Sequence, residues 1–94
     1  MGIRFELRDE QGGIVEPGGV LEWVQLPEYP RDPRYPFLGL IDAYGDTMFG
    51  RVQMVAVLPE LERWAAERPS REVVMLLELA RKLGIHQYLW FIGD

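Results

Sequence analysis

The sequence predicts an α+β domain, an antiparallel or mixed sheet of about five strands with two consecutive helices on one face, and three observations carry that expectation. Ile3, Phe5 and Leu7 alternate with Arg4, Glu6 and Arg8, the period of two that sets one face of a strand on a core and the other in water. Residues 37–41 and 88–92 are unbroken apolar runs of strand length, as expected of strands covered on both faces. Between them, residues 54–67 and 71–83 repeat apolar side chains at helical spacing. Strands and helices grouped in this way give two layers around one core.

Taken in order, the first strand ends in the turn residues Asp9 to Gly13. Ile14, Val15 and Glu16 return briefly, Pro17-Gly18-Gly19 interrupts, and a second strand runs from about 20 to 26. Proline at 27, 30, 33 and 36 has the three-residue period of polyproline II. This reads as a stiff connector, with Tyr29, Arg31, Arg34 and Tyr35 on its other edges as the alternative, a docking segment. Residues 37–41 and 88–92 are expected as the central strand pair, with Leu40 near Trp90, and residues 48–53 as a hairpin partner.

The first helix is expected over 54–67, because Pro59 is tolerated only in a first turn and so holds the start to three or four residues before it. Arg68-Pro69 ends it. Ser70 is a natural N-cap for the second helix, Glu72 and the Arg81-Lys82 pair suit the two ends of its dipole, and Gly84 supplies a left-handed stop. Apolar residues cover well over half of this second helix. Either the first helix covers the surplus, or a homodimer forms through residues 71–83.

Ninety-four residues with 48 % hydrophobic side chains build one core, and a chain of this size buries only about 60 to 65 % of its unfolded surface. One domain over 1–94 follows, with no deep pocket. The absence of cysteine excludes disulfides and thiol chemistry and suits a cytoplasmic protein. No export signal or membrane span is visible. Nine of the ten basic residues are Arg, a usage that suggests a GC-rich or heat-adapted bacterium. A net charge of -5 opposes nucleic acid and anionic membrane; solubility alone explains it most simply, and a macromolecular partner, if there is one, is expected to be basic.

The densest group of polar side chains is the turn that carries Asp42, Tyr44, Asp46 and Thr47. Both apolar runs end in aspartate, Asp42 and Asp94, so parallel neighbouring strands would bring the carboxylates together. Asp42, Asp46 and Asp94 could then hold a hard cation or act as an acid/base pair, as in a small metal-binding protein or hydrolase. The spacing matches neither a Ca²⁺ loop nor a phosphate-binding glycine pattern. Turn architecture explains the aspartates more simply, with Asp46 bonding the Thr47 and Met48 amides. His86, the single histidine, has no second imidazole or thiol to share a metal. No metal or cofactor is expected, and the residues singled out for binding are Asp42, Tyr44, Asp46, Thr47 and Asp94. Tyr29, Tyr35, Tyr44 and Trp23 add the side chains typical of contact surfaces.

The segment 37–49, followed by Gln53, Leu58, Glu60 and Leu61 and closed by 88–94, resembles a group of short bacterial proteins with no established activity. The resemblance spans about the last sixty residues. Its most specific parts are the Tyr-Gly-Asp-Thr turn and the Phe-Ile-Gly-Asp ending. It implies a compact bacterial domain and no reaction. The expected function is therefore a non-enzymatic protein-binding module, immunity-like or regulatory, with size and charge as its only link to immunity proteins.

Overall fold

In the computed structural model, residues 2–27 and 32–93 are described. The alternation at the amino terminus becomes strand β1 (Gly2–Asp9), which sends Ile3, Phe5 and Leu7 into the core. Asp9 closes the following turn with its carboxylate, which accepts the Gln11 and Gly13 amides at 3.0 and 2.8 Å. The chain returns as β2 (Ile14–Glu22), then runs through β3 (Asp46–Gly50), helix α1 (Arg51–Glu67), helix α2 (Arg71–Arg81) and β4 (Gln87–Ile92). The four strands form one antiparallel sheet in the order β2-β1-β4-β3.

Both helices lie on one face of the sheet. Helix α2 packs on β1 and β2, and α1 packs on β3 and along α2. The core between the layers is centred on Phe5, Phe91, Leu89, Trp64, Leu61 and Leu76. Most of the apolar surface of α2 is covered within the chain. Val73, Leu76, Leu77, Leu79 and Ala80 are buried within the chain between the sheet and α1. Met75 and Leu83 are partly buried against this core, and Val74 stays 43 % exposed on the outer side of the helix.

Several expectations need correction. Among the described residues the sheet has four strands, because residues 37–41 do not form one. They make a 3₁₀ turn, Leu38–Leu40, that buries Leu38 and Ile41 and leaves Leu40 59 % exposed. That three-residue spacing belongs to a helical turn, and a short apolar run cannot distinguish it from a covered strand. The central pair is β1 with β4. Trp90 faces Glu6 and Met48 across the ladder, in place of Leu40.

Strand β2 is continuous through Pro17-Gly18-Gly19 because it lies at the sheet edge, where a missing amide donor costs no ladder bond. Glycines 18 and 19 together oppose Phe5, a bulge in the register between Arg4 and Glu6. A Cβ on Gly18 would lie 2.3 Å from the Phe5 carbonyl, so only glycine fits. The strand ends at Glu22, and a 3₁₀ turn, Trp23–Gln25, follows where a strand to about 26 was expected.

Helix α1 starts at Arg51, well before Pro59, which therefore sits in its interior. Pro59 and the residue one turn earlier, Val55, are both exposed, so the Val55 carbonyl left without its partner can bond to water. Gln53 reaches back from the first turn to accept the Gly50 amide at 2.9 Å. Gly84 does not supply a left-handed stop: α2 ends at Arg81 with Lys82 still right-handed, and the positive-φ residue is His86, φ 63°, in the turn before β4. The Gln87 amide donates to the Gly84 carbonyl, closing a tight turn with His86 at its third position.

The polyproline expectation lies partly on residues 28–31, outside the described residues. From Asp32 onward it fails: the Tyr35 amide donates to the Asp32 carbonyl at 3.2 Å, a β-turn with Pro33 in its second place. The Asp32 carboxylate fixes that turn through the Arg34 amide. Among the described residues no helix is long and apolar enough to cross a membrane.

Candidate interaction surface

The turn before β3 is held by reciprocal bonds. Asp42 accepts the Tyr44 amide at 2.8 Å, and Thr47 Oγ1 accepts the Asp42 amide at 2.9 Å. Aspartate and threonine side chains commonly fix turns in this way; here Asp42 carries the bond expected of Asp46, whose backbone opens β3. The Gly93 amide donates to the Gly45 carbonyl at 2.8 Å. A Cβ on Gly93 would come within 2.3 Å of the Ala43 carbonyl, so the corner is seated directly on the end of β4. Asp42 and Asp46 are exposed, Thr47 is half-buried, and Tyr44 is 74 % exposed. Asp94 and Tyr29 lie outside the described residues. Among the described residues no cluster of three or more potential metal ligands occurs.

Two carboxylates on α1 position the chain leading into this corner, and neither was distinguishable in the sequence from a solvated helix residue. Glu60 is 4 % exposed and accepts the Phe37 amide at 3.1 Å and the Leu38 amide at 3.0 Å. A negative charge suits the free amides that open a helical turn. Glu67 accepts the Tyr35 hydroxyl at 2.7 Å and Arg34 Nη1 at 2.6 Å, while Arg34 also grips Asp32 through two nitrogens at 2.8 and 2.9 Å.

This latch sets the charge states of its members. The Arg34 hydrogen bond holds the Asp32 carboxyl down to about 2. Tyr35 and then Arg34 hold Glu67 below its ordinary value, and the pair of carboxylates raises Arg34. Burial, reinforced by Glu67, pushes the Tyr35 phenol up to about 12. Tyr35 was expected as an exposed contact residue and is instead buried. A cleft of about 250 Å³ beside the latch is bounded by Leu26, Trp64 and Arg68.

The larger surface is the sheet face opposite the helices. Residues directly opposite in an antiparallel ladder point to the same side, and the ladder sets Arg4, Glu6 and Arg8 of β1 beside Ile92, Trp90 and Tyr88 of β4. Val20 and Met48 extend this face onto the two edge strands and are 48 % and 51 % exposed. Glu6 is 3 % exposed, clasped by Arg8 Nε at 2.6 Å and Arg4 Nε at 3.2 Å. Arg8 also lies over the Trp90 ring, 4.4 Å from its centre. Asp46 belongs to this face through its pairing with Ile92, so the Asp42–Thr47 corner forms its rim.

An alternating strand reads as apolar inside and solvated outside, so the sequence alone concealed this face. The signal available was the outward set of β4, Tyr88, Trp90 and Ile92, which is apolar where a solvated strand would be polar. Among the described residues no helix or strand covers it. The chain matches no known family model, and no curated protein or solved structure proved similar to it, so the resemblance to short bacterial proteins gains no support there.

Proposed function

We propose that this protein is a non-enzymatic protein-binding module, regulatory or immunity-like, whose contact surface is the uncovered sheet face with the Asp42–Thr47 corner as its acidic rim. One observation carries the reading: a sheet face that no described helix or strand covers presents exposed Val20 and Met48 and half-buried Trp90 and Ile92 around a preformed Arg4-Glu6-Arg8 cluster. Apolar and aromatic side chains around fixed guanidinium groups are the composition of binding hot spots. Rigid seating of the corner through Glu60, Thr47 and Gly93 lowers the ordering cost of association. Asp42, Tyr44, Asp46 and Thr47 then supply polar contacts at the edge, and the exposed carboxylates suit a partner with basic groups there.

Affinity capture with wild type, Met48→Glu, Val55→Glu and an Asp42→Asn/Asp46→Asn double variant tests this. Met48→Glu should abolish capture of a specific partner, the double variant should weaken it, and Val55→Glu, on the far side of the molecule, should leave it intact. Titration with Mg²⁺, Mn²⁺ and Ca²⁺ covers the competing class. Micromolar cation binding that Asp42→Asn removes would displace the binding-module reading in favour of a metal protein or hydrolase.

A further inference from the structure

We infer that the occupant of the uncovered sheet face is a second copy of this chain, stacked face to face about a two-fold axis that runs along the strands. The inference rests on reading that face as a protein-binding surface and names what binds there. The operation carries the strand order β2-β1-β4-β3 into its own reverse. Rotation exchanges the two halves of the sheet, so β1 of one copy lies over β4 of the other and β2 lies over β3.

Height along the strands is preserved, so each cross-strand row meets its own reversal. In the row Pro17, Glu6, Trp90, Met48, Met48 lands on Pro17 of the second copy. The Trp90 ring lands over the arginine-clasped Glu6. In the next row, Arg8 lands on Tyr88 of the second copy. Cations over aromatic rings are favourable on both sides of the axis. Toward the other end, in the row Val20, Arg4, Ile92, Asp46, Arg4 lands over Ile92 of the second copy and Val20 over its Asp46, one strand spacing from Arg4. Two arginines neutralise Glu6 within its own copy, so no bare carboxylate is set against the Trp90 ring of the second copy.

The area is sufficient for a reversible dimer. Four strands about 4.8 Å apart and six residue pairs at about 3.3 Å rise give a footprint of roughly 19 by 20 Å. A footprint of roughly 400 Å² per partner belongs to the class of weak, transient interfaces. Dissociation in the micromolar range is expected.

Sedimentation equilibrium of wild type, Val20→Glu, Met48→Glu and Val55→Glu tests the inference. Wild type and Val55→Glu should be dimeric at hundreds of micromolar, whereas Val20→Glu and Met48→Glu should be monomeric with unchanged circular dichroism. A wild-type monomer at that concentration, or a dimer that survives both face variants, overturns it. Because the chain has no cysteine, Val20→Cys and Met48→Cys proteins can be mixed and joined with a short bismaleimide. Val20→Cys crosslinked to Met48→Cys should exceed either self-product, and an excess of Val20→Cys self-product would show pairing of β2 edges instead. If wild type is monomeric yet Met48→Glu abolishes partner capture, the face binds a different protein and only the second copy is excluded. If neither self-association nor capture depends on Met48, the reading of the face fails as well.

Discussion

Carboxylates in unusual settings set the positions of everything else. Glu60 is buried against the amides of Phe37 and Leu38, so removing it leaves two donors without an acceptor. Glu60→Ala should cost about 3 kcal/mol, since each lost bond to a charged group is worth about 1.5–3 kcal/mol. Chemical denaturation will measure this, and a loss below about 0.5 kcal/mol would show that the turn does not depend on Glu60. The Asp32-Arg34-Glu67-Tyr35 latch makes stability depend on pH in two windows. Asp32 and Glu67 are depressed in the fold, so their contribution is present above the ordinary carboxylate values and disappears as pH falls toward about 2. Tyr35 is raised to about 12, so its contribution is present below the ordinary phenol value near 10 and is lost as pH climbs between the two. Tyr35→Phe should flatten the alkaline limb of a melting-temperature profile. Parallel profiles for wild type and variant would refute that assignment.

At the level of elements, the strands that alternate were legible and those that depart from alternation were not. β1 follows its sequence because Ile3, Phe5 and Leu7 need one covered face, and β4 follows from its continuous apolar run. The run at 37–41 misled because burial at both ends of a 3₁₀ turn produces the same composition as a covered strand. Pro59 misled in the opposite sense. Its cost is real but is met on the solvent side of α1, where water replaces the lost bond. Pro59→Ala should therefore stabilise the protein, by up to about 3 kcal/mol on the helix-propensity scale, and a rise in denaturation midpoint will show it. No change, or a fall, would mean that the proline ring itself packs favourably. Serine 70 was readable as a cap and acts as one, accepting the Val73 amide at 3.1 Å. No left-handed residue stops α2, whose cap Lys82 stays right-handed; the positive φ falls on His86 in the turn before β4, a residue type that tolerates this conformation better than most.

For the whole molecule, one layer of helices on a four-stranded sheet leaves a second sheet face to be covered or solvated. The candidate corner was legible in the sequence as a polar turn, and its bonding by Asp42 and Thr47 follows from residue type. The face beside it was not, because its members are spread over four strands and meet only through the ladder. Arg4, Glu6 and Arg8 looked like the wet side of β1, and nothing local indicated that Glu6 would be enclosed by its neighbours. The central claim is that this face is where one copy of the protein meets a second. Its most direct test is amide NMR of labelled wild type over a concentration range from micromolar to millimolar. Concentration-dependent shifts should gather on Arg4, Arg8, Val20, Met48 and Trp90 and leave Val52 and Val55 of α1 unmoved. Shifts confined to α1 or α2, or none at all, would contradict the account.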